Sequence, residues 1–419
     1  MELERFTRGD LRTIVLAVLL GAVGVGVALR YHDVAFPEAS IDFKVSRPEI
    51  EQRARVFLEQ RGFDLAPYRQ LILFRYDDTA KIYLERELGL AEANRLRASE
   101  INVWRWKVRF FKPPQKEELL VWLDPGGQFV GFEHIVEEKA AGARLEKGQA
   151  QSVAEIFLHS QLGLDLADYT LVEDKQEERP NRLDYTFTWE RKNFKAKDAT
   201  YRISASVYGD QVGNVLPFLK VPEQWERDYQ KLRSRNETLQ RIANLFFVPL
   251  LIAILFVLIP RFRQRRLVWK PLLWLGAIVG IVSFVANINS IPLVSEAFPT
   301  AVTYRVLVAI LVLVSLIAGL LLALIIAILA ASGDAVYREA TPNKVALPRL
   351  FTLSGLRTKE FFFSTVVGYT LAAFQLGFVV VFYLAMRRFG AWSPAEVKYS
   401  DFHSTTLPRI YPLTVGLQA

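Results

Sequence analysis

Long apolar runs alternate with charged stretches along this chain. Residues 13–29 form seventeen consecutive uncharged positions, and residues 243–260 form eighteen apolar or near-apolar ones. A helix needs about 20 such residues to cross the hydrocarbon core of a bilayer. The pattern therefore predicts membrane-spanning helices. Five spans are predicted: 13–29, 243–260, 271–287, 306–331 and 361–386.

Clustered basic residues orient these spans. Four arginines between positions 261 and 266 directly follow the second span, and Lys and Arg accumulate on the cytoplasmic side of membrane proteins. We therefore expect the N-terminus, 1–12, and the long loop 332–360 to be cytoplasmic. By alternation, residues 31–242 are predicted to lie outside the cytoplasm. Arg387 and Arg388, at the outer end of the last span, are an exception that the four preceding crossings outweigh.

The two ends of the chain need separate interpretations. We interpret the span 13–29 as an uncleaved signal anchor, because the residues that follow it, RYHDVAF, contain no small-x-small cleavage site. Its small residues at four-residue spacing predict close packing of another helix; these pairs are Ala17/Gly21, Ala22/Gly26 and Gly24/Ala28. Residues 413–419 begin another apolar stretch, which predicts a truncated further span, so we expect the chain to be a fragment of a longer protein.

The part outside the membrane contains an internal repeat. Eight residues recur with one insertion: Ala54, Phe57, Leu58, Gly62, Asp64, Leu65, Ala66 and Tyr68 as Ala154, Phe157, Leu158, Gly163, Asp165, Leu166, Ala167 and Tyr169. The spacing predicts an amphipathic helix that ends at a glycine in each copy. We divide this part into module 1 (31–135) and module 2 (136–221).

Strand-like segments follow each predicted helix. They are 103–111, 119–123 and 128–132 in module 1, and 185–190, 200–208 and 211–215 in module 2. Alternation of apolar and polar residues with period two indicates sheets that have one face covered. The predicted fold class is thus a polytopic α-helical membrane protein with an extracytoplasmic α+β domain built from two related helix-plus-antiparallel-sheet modules. This duplicated pattern is similar to the PepSY-type modules found outside bacterial membranes.

A helical stalk is predicted between the second module and the second span. Residues 222–242 begin with Pro222 and place Trp225, Tyr229 and Leu232 on one side. Since no breaker separates this segment from 243–260, we expect one continuous helix, with a kink at Pro249.

Composition narrows the choice of function. The isoelectric point is near 9.4, yet the proposed cytoplasmic segments 1–12, 261–270 and 332–360 hold 13 Lys and Arg against 6 Asp and Glu, which is +7 of the net charge of +8. The basic charge is therefore a topology signal, and nucleic acid is excluded as a partner. The absence of cysteine rules out disulfides, thiolate nucleophiles and cysteine-bound metals.

No complete catalytic constellation is present. The four histidines (His32, His134, His159 and His403) lie outside the spans and are not spaced as metal-binding pairs on a helix. His403 next to Asp401 lacks a nucleophile or a second ligand. We interpret Asn287, Asn289 and Glu296, at an outer membrane edge, as capping and solvated loop residues, with a polar mouth as the alternative. Gln375, inside the last span, is predicted to form an interhelical hydrogen bond.

One motif match is predicted to be misleading. Residues 177–182 spell EExxxR, a signature in which an intramembrane glutamate serves as general base on a metal-bound water. Here it includes a proline and falls within the soluble domain, so we interpret it as a solvated turn between strands.

Four longer stretches carry a family resemblance: 178–191 (ERPNRLDYTFTWER), 221–237 (VPEQWERDYQKLRSRNE), 333–339 (GDAVYRE) and 355–364 (GLRTKEFFFS). Through them the chain resembles the N-terminal part of bacterial CPBP-family proteins, the intramembrane metalloproteases related to CAAX-processing endopeptidases. The family's catalytic helices carry EExxxR, FxxxH and a further histidine, and none of these is present here in a membrane context. No catalytic, cofactor-binding or metal-binding residue is therefore assigned in residues 1–419.

The resemblance implies a multi-pass protein of the bacterial inner membrane that hydrolyses peptide bonds inside the bilayer with a metal-activated water, the metal being zinc. The outer domain would then recognise a membrane-protein or peptide substrate or restrict its access, and this chain alone would be inactive. The alternative is a non-enzymatic membrane sensor or assembly subunit whose outer domain binds a ligand or a partner. A transporter is disfavoured, because the spans lack breaks and charges near the midplane. Substrate, oligomeric state and the outer domain's ligand are left open.

Overall fold

The computed structural model describes residues 6–263, 269–298, 300, 303–341, 352–392 and 399–412. Five of its helices are long and apolar enough to cross a membrane, and the rest of the chain is organised around one antiparallel sheet. The structure thus has the architecture of a multi-pass helical membrane protein with a sheet domain. The predicted truncated span 413–419 lies outside the described residues.

The helices are α1 (Arg8–Ala35), α2 (Arg47–Glu59), α3 (Asp78–Leu88), α4 (Leu90–Ser99), α5 (Lys147–Leu162), α6 (Glu223–Leu245), α7 (Phe247–Arg263), α8 (Trp269–Asn289), α9 (Ile291–Ser295), α10 (Tyr304–Ala340), α11 (Leu353–Leu356), α12 (Lys359–Met386) and α13 (Tyr399–Ser404). The strands are β1 (Arg69–Tyr76), β2 (Trp104–Phe111), β3 (Glu118–Leu123), β4 (Phe129–Ile135), β5 (Tyr169–Arg179), β6 (Arg182–Arg191), β7 (Thr200–Tyr208) and β8 (Gln211–Lys220).

The two modules form one continuous eight-stranded sheet in the order β1-β2-β3-β4-β8-β7-β6-β5. They join edge to edge between β4 and β8, where only two residue pairs are in register, Phe132 with Val215 and Glu133 with Asn214. Gly131 permits this approach, since a Cβ there would lie 2.6 Å from the carbonyl oxygen of Val215. The prediction of two tandem helix-plus-sheet units is therefore refined, because the units share a single sheet.

Both repeated helices cover the same face of the sheet. Ala54 and Leu58 of α2 are buried against module 1, and Ala154 and Leu158 of α5 are buried against module 2. The helices are braced across the seam, since Phe129 stacks on Phe57 of α2 and also contacts Phe157 of α5. The opposite face of the sheet, here called the open face, carries the alternate residues of each strand.

Two strands were not predicted from the sequence, β1 and β5, and they are the two edges of the sheet. β1 follows a helix closely and reads as a short apolar run, RQLILFRY. β5 reads as a charged segment, YTLVEDKQEER, and is exposed along most of its length. Charged side chains on an edge strand discourage pairing with other chains. In β5 they also replace the alternation of apolar and polar residues by which a strand is recognised in a sequence.

The membrane helices form two groups. α1 packs along α12, and α8 packs along α10, with α7 beside α10; within the described residues the pairs α1–α12 and α8–α10 share no extensive contact. Small residues set both crossings. A Cβ on Gly24 would lie 2.5 Å from the backbone of α12, and a Cβ on Gly280 would lie 2.6 Å from the carbonyl oxygen of Gly319. The predicted role of small residues is confirmed for Gly21 and Gly24, but it is wrong for Gly26, which faces open space.

The stalk and the second span form one helical run, Glu223–Arg261, that is interrupted at a single residue. α6 ends at Leu245 and α7 begins at Phe247, with Phe246 between them. Pro249 explains the break, because a proline lacks the N–H that would bond to the carbonyl of Leu245 and its ring clashes with that group. The predicted continuity of stalk and span is therefore confirmed, and the interruption lies at Phe246, three residues before the Pro249 that was predicted to kink the helix.

Candidate functional site

Three segments distant in sequence meet at one edge of the sheet, in a region that we call the junction. β1 and β2 provide Arg75, Lys107 and Arg109 from the open face, the α8–α10 connection provides Glu296, and α13 provides Ser404. The basic side chains point to the open face because the alternate residues of β2, such as Trp106 and Val108, lie in the core beneath α2. The junction is where the sheet domain is fastened to the membrane helices.

Arg109 is the most buried charge of the junction. It is 4% exposed and forms a bidentate pair with Glu118, with both N···O distances at 2.6 Å. Its guanidinium also donates to the backbone carbonyls of Ser295, Glu296 and Phe298 at 3.0–3.1 Å. One side chain thus satisfies three carbonyl groups at the turn between α9 and α10, which holds this loop on the sheet.

Glu296 completes the contact from the loop. Its carboxylate lies 2.6 Å from Arg75 and 3.1 Å from Lys107. Burial alone would raise the pKa of this carboxyl, but the hydrogen bonds and charges of Arg75 and Lys107 outweigh it and lower the pKa. The prediction that Glu296 is a solvated loop residue is therefore wrong, since it is an ion-paired anchor.

Ser404 caps the edge of β1. Its hydroxyl accepts from the N–H of Phe74 at 2.8 Å and donates to the carbonyl oxygen of the same residue at 3.3 Å. A hydroxyl in this position replaces the groups that a neighbouring strand would supply. Because Ser404 is 0% exposed and its oxygen is engaged by backbone, it is a structural group and not an accessible nucleophile.

His403 lies in an aromatic setting beside this cap. Its ring centroid is 4.5 Å from that of Phe43 and 4.8 Å from that of Phe402. Burial, together with the charge of Arg47, lowers the pKa of His403. Asp401, its predicted orienting partner, instead faces Arg75 at 4.0 Å. The sequence Asp401–His403–Ser404 therefore packs α13 onto the sheet and does not form a catalytic triad.

Two further contacts tie the segment after α13 to the rest of the junction. The Asn289 side chain accepts from the N–H of Leu407 at 2.7 Å and donates to its carbonyl at 3.2 Å. Arg47 of α2 donates to the carbonyl of Thr405 at 2.6 Å. Asn289 was predicted to be a capping or solvated residue, and the structure corrects this to a tether between the end of α8 and residue 407.

The other helix pair is attached to module 1 through its own charges. Arg387, at the end of α12, donates to the carbonyls of Val34 and Ala35 at the end of α1. A cation at a helix C-terminus is favourable. This contact gives a physical reason for Arg387, one of the two arginines that were an exception to the predicted distribution of basic residues.

A buried ionic cluster lies next to that attachment. Lys81 and Glu85 of α3 and Arg97 of α4 are each at most 6% exposed, and Arg97 lies 3.8 Å from Glu85. Burial raises the pKa of Glu38, just after α1, and lowers the pKa of Lys81. Buried charges of both signs therefore lie in one cluster where α4 meets the C-terminal end of α1 and residues 37–40.

The EExxxR match is part of a hairpin that holds the linker between the modules. Arg182 is 4% exposed, pairs with Asp184 at 2.9 Å and donates to the carbonyls of Glu137 and Ala140. Asn181 donates to the carbonyl of Lys139 at 2.7 Å. The expectation that this motif has no catalytic context agrees with its place on β5 and β6, but the prediction of a merely solvated turn is wrong for Arg182.

The remaining predicted polar residues are dispersed. His134 contacts Glu117 at 2.8 Å, His32 contacts Asp33 at 3.2 Å, and His159 contacts the carbonyl of Leu164. Gln375 is exposed on α12 and forms no hydrogen bond with the residues that the structure describes. Of the four histidines, His403 is the one that lies beside Ser404 at the junction. Sequence reasoning missed Arg109 and Glu118, and a buried charge pair on adjacent strands has no local signal that would identify it.

No group of three or more His, Asp or Glu side chains within the described ranges is arranged to hold a metal ion. The residues therefore do not fit the zinc implied by the family resemblance, and no hydrolytic step is assigned to them. No family model, no curated protein and no solved structure matches this chain. The site is thus characterised by its contacts alone, as a charged joint between a sheet domain and membrane helices.

Proposed function

We propose that residues 1–419 are the anchoring and gating part of an intramembrane metalloprotease of the CPBP type, in a bacterial inner membrane. In this proposal the sheet domain lies outside the cytoplasm and restricts or selects the membrane proteins that reach the catalytic helices. Hydrolysis belongs to the catalytic helices that such proteins carry, and we assign no base and no metal ligand to residues 1–419. The substrate is a peptide bond of a membrane protein.

The observation that carries the proposal is that module 1 bridges two separate helix pairs. It is bonded to the connection between α8 and α10 through Arg109 and Glu296, and it contacts α1 through α4 and η1, the short helix Pro37–Ser40. Since the two pairs share no extensive contact within the described ranges, we propose that the domain joined to both sets their separation. A body with this position can control which segments enter between the pairs.

The stretches that carry the resemblance lie at structural joints, which supports the same view. Residues 333–339 end α10, where Glu339 pairs with Arg261 of α7 at 2.5 Å. Residues 355–364 begin α12, where Lys359 pairs with Asp10 of α1 at 2.5 Å. Such contacts fix how the helices are assembled, so similarity there reflects a shared scaffold and not shared chemistry.

The alternative, a sensor with a ligand-binding outer domain, has weaker support. The open face of module 2 holds a polar hollow of about 180 Å³ lined by Lys175, Arg179, Asp184 and Tyr208 among others. Typical small-molecule sites are about 300–1,000 Å³ and mostly apolar. Arg179 already faces Asp184 at 3.5 Å and Glu177 at 3.1 Å, so these three charges of the hollow are paired with one another.

The first test is the intact mass of the polypeptide that cells produce, compared with 47.8 kDa for residues 1–419. We expect a heavier product whose additional sequence contains apolar helices with EExxxR and histidines. A native product of 47.8 kDa would overturn the protease proposal and leave the sensor.

Sidedness is tested separately, and the lack of native cysteine makes the background clean. Single cysteines replace Gly126, in the β3–β4 turn, and Ser354, in α11. With a membrane-impermeant thiol reagent on intact cells, we expect Gly126→Cys to be labelled and Ser354→Cys to be protected. The reverse pattern would invert the topology and remove the domain from the substrate side.

A further inference from the structure

A groove runs between the outer edge of β1 and the start of α10. It consists of two adjoining hollows of about 280 and 380 Å³, which share Gln70, Leu71 and Tyr304 as lining residues. Tyr68, Arg69 and Phe111 line the first hollow, and Arg47 lines the second. We call this the β1 groove; the proposed proteolysis makes no use of it, and of its lining residues Arg47 also contacts the junction.

The position of the β1 groove relative to the membrane follows from α10. Tyr304 is the first residue of this helix, and the apolar run predicted to span the bilayer starts two residues later. Pro292, on the opposite wall, comes directly after α8 ends at Asn289. The groove therefore opens at the level where two spans leave the hydrocarbon, which is the headgroup layer where Tyr and Trp accumulate in membrane proteins.

The cations around the groove are available to a ligand. The Arg69 guanidinium stacks over the Tyr304 ring at 4.7 Å, and the Lys112 ammonium lies 5.8 Å from the Tyr68 ring. Neither side chain forms a salt bridge with a carboxylate among the residues that the structure describes, although the charge of Lys112 helps to lower the pKa of Glu117. A guanidinium held flat by an aromatic ring keeps its N–H edge free for a phosphate, which is the anion that Arg recognises most readily.

The acidic residues near the groove are already engaged. Glu51 accepts from Gln70 and lies 4.0 Å from Arg55. Glu117 accepts from the Tyr68 hydroxyl at 3.0 Å and contacts His134 at 2.8 Å. The hydrogen bonds from His134 and Tyr68 outweigh its burial and lower the pKa of Glu117. The groove thus presents Arg69 and Lys112 without salt bridges, beside carboxylates that already accept hydrogen bonds from other residues.

The floor of the groove is apolar. Leu71 and Phe111 belong to a small buried cluster with Leu73 and Phe298, against which Tyr304 and Leu307 pack. A ligand that places an anion at Arg69 and an apolar part against Tyr304 matches this arrangement better than a free inorganic anion does. We infer that the β1 groove binds the headgroup of an anionic phospholipid, with its phosphodiester at Arg69 and Lys112 and its glycerol backbone over Tyr304.

The test titrates phosphatidylglycerol, or phosphatidylcholine as the neutral comparison, into the detergent-solubilised full chain and counts retained lipid by native mass spectrometry. We expect tighter binding of phosphatidylglycerol by the wild type. The double variant Arg69→Gln, Lys112→Gln should bind it roughly 25-fold more weakly, because each basic residue near an anionic headgroup contributes about fivefold. The matched control, Lys175→Gln with Lys195→Gln on module 2, removes the same charge and should bind like the wild type.

Each other outcome is decisive. Equal binding of the two lipids, or equal weakening in the double variant and its control, would overturn the inference and leave only diffuse surface attraction. Full competition by inorganic phosphate would assign the groove to a free anion. A retained polypeptide that the double variant loses would assign it to an extended peptide on β1. Arg69→Lys keeps the charge and, if the inference holds, retains most of the binding, while thermal unfolding in phosphatidylcholine verifies that every variant is folded.

Discussion

Module 1 and module 2 have the same four-stranded topology, yet they differ in what connects and covers their strands. Between β1 and β2 the chain inserts α3 and α4, whereas only Pro180 and Asn181 separate β5 from β6. The outer edge of β1 is capped by Ser404, while β5 is exposed along most of its length. One module is enclosed by membrane-associated segments, and the other projects from it.

The charges of the two modules show what this difference does. On β2 and β3, the side chains of Arg109 and Glu118 are 5% and 12% exposed. Arg109 also donates to three carbonyls of the α9–α10 turn. On the corresponding strands of module 2, Arg202 and Glu190 are 19% and 28% exposed and face no membrane segment in the described structure. The same strand pair therefore serves as an anchor in one copy and as a surface in the other. The two modules are thus two halves of one sheet, and Arg109 attaches the half formed by module 1.

The largest expected effect separates these two charge pairs. Arg109→Met leaves Glu118 buried without its partner and releases three carbonyls, which we expect to cost about 3–5 kcal/mol of unfolding free energy. The matched change Arg202→Met removes a partly exposed pair and should cost about 0–1 kcal/mol. Thermal unfolding of the purified chain, followed by tryptophan fluorescence, measures both. Similar losses in the two variants would show that module 1 is not the anchored copy.

The next effect concerns the helices beneath module 1. Gly24→Ala places a methyl group 2.5 Å from the backbone of α12, and such overpacking is expected to cost about 1–3 kcal/mol. Gly26→Ala faces open space and, by helix propensity, should be neutral or stabilise by up to about 1 kcal/mol. A disulfide between cysteines introduced on α1 and α12 reports the pairing. Equal crosslinking in the two variants would contradict the crossing described.

A smaller and more local effect is expected at the edge of β1. Ser404→Ala leaves the N–H and carbonyl of Phe74 without their cap, at an expected cost of about 1–3 kcal/mol. Hydrogen exchange at the Phe74 amide should accelerate, whereas amides of β5 should be unchanged. Ser152→Ala, which removes an exposed hydroxyl on α5, is the control. Unchanged protection at Phe74 would mean that the cap does not close this edge.

The smallest expected effect is on pH dependence. Burial lowers the pKa of His403, so the unfolded chain binds more protons than the folded one just below the usual histidine pKa of about 6.5. Stability of the junction should therefore fall as the pH drops from about 7.5 to about 5.5, and His403→Gln should flatten that fall. The pKa of Glu296 is lowered, so its contribution is lost only in more acidic solution. An identical pH profile in the variant would exclude His403 as the source.

The sequence predicted the membrane helices well because run length and polarity are local properties. All five predicted spans fall within helices that are long and apolar enough to cross a bilayer. The junction could not be predicted in the same way, since Glu296 meets Arg75 and Lys107 at separations of 221 and 189 residues. Asn289 and Arg182 were misread for the same reason, because their partners are backbone carbonyls brought near only by the fold.

The narrow seam between β4 and β8 has a mechanical consequence. Seven strand spacings of about 4.8 Å make the sheet about 34 Å wide. The seam between β4 and β8 lies at its middle. The strands on each side of the seam are paired along longer antiparallel ladders, whereas two residue pairs, Phe132–Val215 and Glu133–Asn214, join β4 to β8. A force on β5 would therefore reach module 1 through these two residue pairs and through the contacts of Phe129 with Phe57 of α2 and Phe157 of α5.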